Sequence, residues 1–176
     1  MIEVDGSMLE GEGQLLRMAI SYSAIIGKSV KVYNIRAKRS QPGLRNQHLT
    51  ALRAVAKLCS ADVEGFEMGS KTVVFRQHDI KEREYQFDVG TAGSISLLLQ
   101  CVTPVAAYAE DQVQLRVKGG TSVKWSMPVL MFKNVILRAL EAMGIKGEVI
   151  IEREGFYPRG GGIVKATISP VEGWNL

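Results

Sequence analysis

The 176 residues suit one large domain or two small ones, with ample material for a core. At 46% hydrophobic and 23% charged the chain has the balance of an ordinary soluble globular protein. The lack of any run of about 18 apolar residues excludes a membrane-spanning helix. The net charge of +4 and a pI near 9.1 tilt weakly toward an anionic partner.

Residues 1–4 read as a short strand, and the acidic start MIEVDG lacks the basic region of a secretory signal. The chain is organised around residues 9–26, LEGEGQLLRMAISYSAII, where a glycine-interrupted acidic turn runs into an almost wholly apolar stretch. Residues 14–26 are too apolar for a surface helix with one wet face and predict a buried helix. Its polar members Gln14, Arg17 and Ser21 fall at i, i+3 and i+7, on one stripe, with Glu10 and Glu12 in the preceding turn. A guanidinium is rarely buried alone, because its desolvation costs several kcal/mol. Either Arg17 pairs with Glu10 or Glu12 for structural reasons, or the stripe faces a ligand.

Residues 30–35 are β-branched and aromatic enough for a strand. A basic loop comes next, containing Arg36, Lys38, Arg39, Pro42 and Gly43. Residues 44–59 show a helical apolar face of Leu49, Leu52, Val55, Ala56 and Cys59, and strands are expected at 62–66 and 71–76. A second pass begins near Tyr85: a strand at 85–89, a glycine turn at 90–94 and an apolar helix at 95–109. Residues 112–118 alternate Val113, Leu115 and Val117 with polar neighbours, the mark of a half-buried strand. After a loop through Pro128, residues 129–143 predict a helix with Val129, Phe132, Ile136, Leu140 and Met143 on one face, closed by Gly144. Strands at 148–152 and 163–168 end the chain.

The same order of elements thus occurs twice, with Pro42 matching Pro128 and Ala61 matching Ile145. The expected fold is α+β: tandem βαβαββ repeats, each a two-layer α/β sandwich, over residues 1–84 and 85–176. The second apolar helix also carries a polar stripe of Gly93, Ser96, Gln100 and Thr103, and Pro104 withholds a donor from the Gln100 carbonyl. Two such stripes suggest polar groups converging on a cleft; hydrogen bonding to nearby backbone is the competing reading.

Four cations, Arg36, Lys38, Arg39 and Arg45, lie within ten residues at a helix start, where backbone N–H groups also favour anions. Guanidinium forks suit phosphate; a solvated basic loop is the alternative. Gln47 and His48 occupy the first turn of that helix, and His48 is in line with Leu52, Val55 and Cys59, as a core-edge histidine would be. His78 reads as a surface turn residue. The run 160–162 is a weak phosphate signal that reads first as a tight turn. Cys59 and Cys101, without CxxC or histidine neighbours, read as buried thiols of a reducing compartment.

Together EGEGQLLR (10–17), IRAKR (35–39), PGLRNQHL (42–49), TAGS (91–94) running to Gln100, GGT (119–121) and GFYPRGGG (155–162) resemble the RNA 3′-terminal phosphate cyclase family, in family order over essentially the whole chain. The resemblance implies a ligase of RNA processing, cytoplasmic, that uses ATP and Mg²⁺ or Mn²⁺ to turn an RNA 3′-phosphate into a 2′,3′-cyclic phosphate through an adenylylated histidine and an RNA-3′-pp-5′-A intermediate. It implies catalytic roles for Glu10, Arg17, Arg36 and Arg39, with Glu10 at the metal. It also implies phosphate contacts from Arg36, Arg39, Gln47 and His48, and nucleotide contacts from Gln100 and Pro128. The partner is RNA with a 3′-phosphate end, with no membrane involved; a homo-oligomer is allowed. The family turn GEGGGQ here carries Glu12 in place of a glycine. The family has a third repeat and a small inserted domain, and its nucleophilic histidine lies in the C-terminal repeat. The chain therefore reads as an N-terminal portion, inactive alone. The rival reading is a non-catalytic cyclase-like factor of ribosome assembly that binds RNA or protein.

Overall fold

A computed structural model describes residues 1–8, 13–80, 83–90 and 92–173. The chain divides into two compact units, Met1–Lys81 and Glu82–Leu176. Glu84 opens the first strand of the second unit.

In the first unit, strand β1 (Ile2–Asp5) runs parallel to β2 (Val30–Tyr33) through the crossover helix α1 (Gly13–Ile26). Helix α2 (Asn46–Leu58) leads to β3 (Asp62–Glu64) and β4 (Val73–Arg76), which pair antiparallel, and β4 also pairs antiparallel with β2. The sheet order is β1-β2-β4-β3. Alternation sends Val30, Val32, Val73 and Phe75 to the buried face, where Leu16 and Ile20 of α1 and Leu49, Leu52 and Val55 of α2 are also buried. Burying a side chain such as Phe75 or Leu52 stabilises the unit by about 1.5–3 kcal/mol each.

The second unit repeats the plan. Strand β5 (Glu84–Asp88) is parallel to β6 (Val113–Gly119) through helix α3 (Ile95–Ala106). Helices α4 (Val129–Met131) and α5 (Leu137–Ala142) flank a π-helical segment, Phe132–Ile136, and lead to β7 (Gly147–Arg153) and β8 (Gly162–Ile168). The order β5-β6-β8-β7 matches that of the first sheet. Each unit is a βαβαββ sandwich of helices on one sheet, as the sequence pattern predicts, and β6 keeps its strict alternation, with Val113, Leu115 and Val117 inside.

Two expectations are corrected. Helix α1 is not buried all round: Gln14, Tyr22 and Ile26 are exposed, while Leu16, Arg17, Ile20 and Ser21 are buried. A helix on a two-layer sandwich covers its sheet with one face, however apolar the other. The apolar face expected over 129–143 also shifts. The Leu137 N–H reaches the Phe132 carbonyl five residues back, so the wide turn absorbs an extra residue and Leu137 replaces Ile136 as the next buried position. Met143 is left exposed. Strand β2 ends earlier than its pattern suggests; Ile35, although buried, lies beyond it.

Candidate functional site

Arg17, Arg36 and Arg45 of the first unit gather where α1 begins and the 34–45 loop delivers the chain into α2. Arg36 sits just past the buried Ile35 with a left-handed backbone, φ 53°. Its guanidinium Nη1 donates to the carbonyls of Gln41 at 3.0 Å and Gly43 at 2.9 Å. The Gly43 N–H donates to the Ile35 carbonyl at 2.8 Å, and the Leu44 N–H donates to the Ser70 carbonyl at 3.0 Å. Gly43, at φ 80°, approaches the Gly69 carbonyl so closely that any Cβ would collide with it. The loop is therefore pinned to the connection between β3 and β4 rather than loosely solvated.

Arg45 is the N-cap of α2, and its backbone N–H donates to Nδ1 of His48 at 3.2 Å. A neutral imidazole accepting at Nδ1 carries its proton on Nε2. The Arg45 side chain donates to the Gln41 amide oxygen, which ties the loop across its own mouth. The His48 ring packs against Gly13, the first residue of α1: a Cβ there would overlap Nε2 and Cδ2. Arg17, a residue only 8% exposed, brings its guanidinium to the same side of Gly13. Burial, then the positive charges of Arg17, Arg36 and Arg45, push the His48 pKa down to about 4. Burial and the neighbouring Arg45 lower Arg36 as well. Three guanidinium groups thus lie near enough to one neutral imidazole to act on its charge, a concentration of positive charge that favours an anion: one cation–anion contact at about 4 Å is worth about 4 kcal/mol at an effective dielectric constant near 20.

His48, Arg17 and Arg36 are brought together, with Gln47 half-buried one residue before His48. Arg39 is exposed on the turn and is not among the charges acting on His48. Arg45, a member of the basic cluster read from the sequence, and Gly13, which that reading did not single out, complete the cluster. The stripe member Ser21 is satisfied locally, donating to the Arg17 carbonyl at 3.0 Å. Glu10 and Glu12 lie outside the described residues. Among the described residues, no group of three or more His, Cys, Asp or Glu is placed to hold a metal.

In the second unit, Ser94 caps α3, its Oγ accepting from the Leu97 N–H at 3.3 Å and sharing a 2.9 Å hydrogen bond with Ser96. Ser96 donates to the Met127 carbonyl at 2.6 Å, tying α3 to the residue before Pro128, the exposed N-cap of α4. Gln100 lies one turn beyond Ser96 on the same face of α3, half-buried. His78 is exposed and lies 3.1 Å from Asp62, as a surface histidine should. Cys59 and Cys101 are free and buried; burial raises the Cys59 thiol to about 11, which keeps it unreactive.

A family model described as RNA 3′-terminal phosphate cyclase matches residues 8–175. The chain belongs to that family. It is 49% identical over 170 residues to the RNA 3′-terminal phosphate cyclase of Methanosarcina mazei, covering 97% of this chain and 48% of that protein. It is 50% identical over 170 residues to those of Methanopyrus kandleri and Pyrococcus furiosus, covering 97% of this chain and 48% and 50% of theirs. The chain thus spans about half the length of the curated relatives it matches. Among its described residues, no helix is long and apolar enough to cross a membrane.

For this chain the depressed His48 pKa sets a pH response. Between about 6.5 and 4 the unfolded histidine binds a proton that the folded one refuses, so stability present above pH 6.5 is lost as the pH falls. At pH 5 the loss relative to pH 7 is expected to be about 2 kcal/mol. Urea unfolding at both pH values should show it in the native sequence and not in His48→Gln; equal pH dependence in both would refute the assignment.

Proposed function

We propose that this chain supplies the phosphate-binding half of an ATP-dependent cyclase acting on RNA that ends in a 3′-phosphate. The cluster of Arg17, Arg36 and Arg45 around His48 on a pinned loop carries the reading. It is a preorganised cationic site with a neutral N–H donor, suited to a terminal phosphate dianion. Arg36, Gln47 and His48 hold that phosphate, with Arg17 from α1, Arg45 from the N-cap of α2 and a weaker, solvent-screened contact from Arg39. Gln100 and Pro128 contact the nucleotide. The buried free thiols fit a reducing, cytoplasmic setting.

In the reaction so proposed, a histidine beyond these 176 residues attacks the α-phosphorus of ATP and releases pyrophosphate. AMP then passes to the RNA 3′-phosphate, giving RNA-3′-pp-5′-A. The vicinal 2′-OH attacks the activated phosphorus, loses its proton and expels AMP, closing the 2′,3′-cyclic phosphate. The arginines neutralise the phosphate through these steps and hold it in line, so most of the acceleration asked of them is positional and electrostatic. Glu10 would hold Mg²⁺ or Mn²⁺, which would supply further positive charge to the phosphates; among the described residues no group of three or more His, Cys, Asp or Glu is placed to hold the ion.

Two measurements test this reading. Intact mass after incubation with ATP and magnesium should show AMP on a full-length relative and none on the 176-residue chain. Label on the short chain would make His48 or His78 a nucleophile. The chain alone should also bind a 3′-phosphate-ended oligoribonucleotide more tightly than its 3′-hydroxyl counterpart; equal affinity would remove the phosphate site.

A further inference from the structure

Two loops of the second unit hold aromatic rings out in solvent. Trp125 is 95% exposed, Tyr157 83% and Phe156 57%. Burial of apolar area drives folding, so this unit gains almost nothing from Trp125 and Tyr157 where they stand. The loops that bear them are nonetheless well held. The Thr121 N–H donates to the Gly155 carbonyl at 2.8 Å, and the Gly155 N–H returns a bond to the Thr121 hydroxyl at 3.0 Å. Ser122 and Phe156 pair through a parallel bridge, and the Gly160 N–H closes the second loop on the Phe156 carbonyl at 2.7 Å. The first loop is anchored by the Val129 N–H on the Thr121 carbonyl at 2.7 Å and braced by Ser126, which donates to the Val123 carbonyl at 3.1 Å. Trp125 sits at φ 65°, a left-handed conformation a bulky side chain rarely takes, and it does so at the tip of this braced turn.

The charges between the rings are mainly positive. Lys124, Arg153 and Arg159 are exposed beside them; the acid within these loops, Glu154, receives the Thr121 hydroxyl hydrogen bond. Flat rings spaced by cations along two adjacent backbone segments match the alternation of base and phosphate in a single strand. A protein-docking patch would be depleted in lysine at its centre.

We infer that the loops around Trp125 and Tyr157 form a stacking platform for the bases of single-stranded RNA, with Lys124 and Arg159 following its phosphodiesters. This deepens the proposed function, since it rests on RNA being the substrate, but it places contacts on the body of the strand rather than on its 3′-phosphate. Stacking accepts any base, so the platform has little sequence preference.

The test uses the whole chain with Trp174→Phe, which leaves Trp125 as the single tryptophan. A ten-nucleotide oligoribonucleotide should quench its fluorescence. By fluorescence anisotropy, Trp125→Ala and Tyr157→Ala should each weaken binding roughly ten-fold, equally for 3′-phosphate and 3′-hydroxyl ends, and Trp125→Phe should recover most of the loss. Unfolding midpoints like that of the parent are expected, because the rings are exposed. Unchanged affinity in both alanine variants, absence of quenching at saturation, or failure of the parent chain to bind RNA at low salt would overturn the platform. So would ring variants that abolish only the preference for a 3′-phosphate. A chain that shows no such preference yet loses affinity with its rings would refute the phosphate site and leave the platform standing.

Discussion

Gly155→Ala is expected to destabilise the second unit by about 3 kcal/mol or more, measured as the loss of unfolding free energy in urea. A Cβ at this position would meet the Gly162 backbone on one side and the Gly119 carbonyl on the other. Overpacking in a well-filled site typically costs about 1–3 kcal/mol, and least where a flexible side chain can swing aside. Here both obstacles are backbone. Gly119 and Gly162 are paired in the β6–β8 ladder, and Gly155 itself exchanges hydrogen bonds with Thr121. Relief would require breaking that junction, a large fraction of the roughly 5–15 kcal/mol by which domains are usually stable. Gly161→Ala is the internal comparison. It has open space around it but a φ of 77°, so it should cost only about 1 kcal/mol of backbone strain. Equal losses for the two variants would show that the 153–162 connection yields, and that the close approach is not a constraint.

Arg36→Ala should weaken the binding of a 3′-phosphate-ended oligoribonucleotide about 100-fold and leave a 3′-hydroxyl end nearly unaffected. Two effects combine. The substitution removes a charge-assisted hydrogen-bond donor, worth about 1.5–3 kcal/mol toward an anion. It also strips the Gln41 and Gly43 carbonyls of their shared donor and loosens the loop that presents Arg45 and His48. Arg36→Lys keeps the charge without the fork and should fall between the two. Arg39 is exposed and outside the group acting on His48, so Arg39→Ala is expected to lose under about five-fold. Filter binding or anisotropy with both RNA ends would settle the ranking; a larger loss at Arg39 than at Arg36 would move the phosphate off the cluster.

Gly13 links these effects to the fold. Its missing Cβ is what lets the His48 ring lie against the start of α1, and the ring in that position both caps α2 and feels the three arginines. The buried side chain of one helix and the first turn of another are thus set by a single hydrogen atom's worth of space.

Much of this was legible in the chain itself. The period-two alternation of Val113, Leu115 and Val117 marks β6, and the i, i+3 spacing of Leu49, Leu52 and Val55 marks the buried face of α2. The recurrence of the same element order predicts two sandwiches of one topology. The run of arginines and the family motifs point to phosphate before any tertiary contact is known. These signals are local: a strand or helix turns its side chains by a fixed angle per residue, so composition at that period reports which side is dry.

What the tertiary structure decided is of another kind. The outer stripe of α1 is as apolar as its inner one, and only the layer packed against it shows which is covered. The π-helical turn at Phe132–Ile136 has no period of its own to read, and it moves every later residue of that helix by one place. Gly13 meets His48, and Thr121 meets Gly155, across more than thirty residues of chain. Arg36 turns part of its fork onto its own loop, and Trp125 stands clear of its unit. The physical reason is common to all of them. Hydrophobic periodicity encodes how an element faces its core, whereas close approaches, shared donors and ring exposure depend on which distant backbone arrives beside it, and that is determined only when the layers pack.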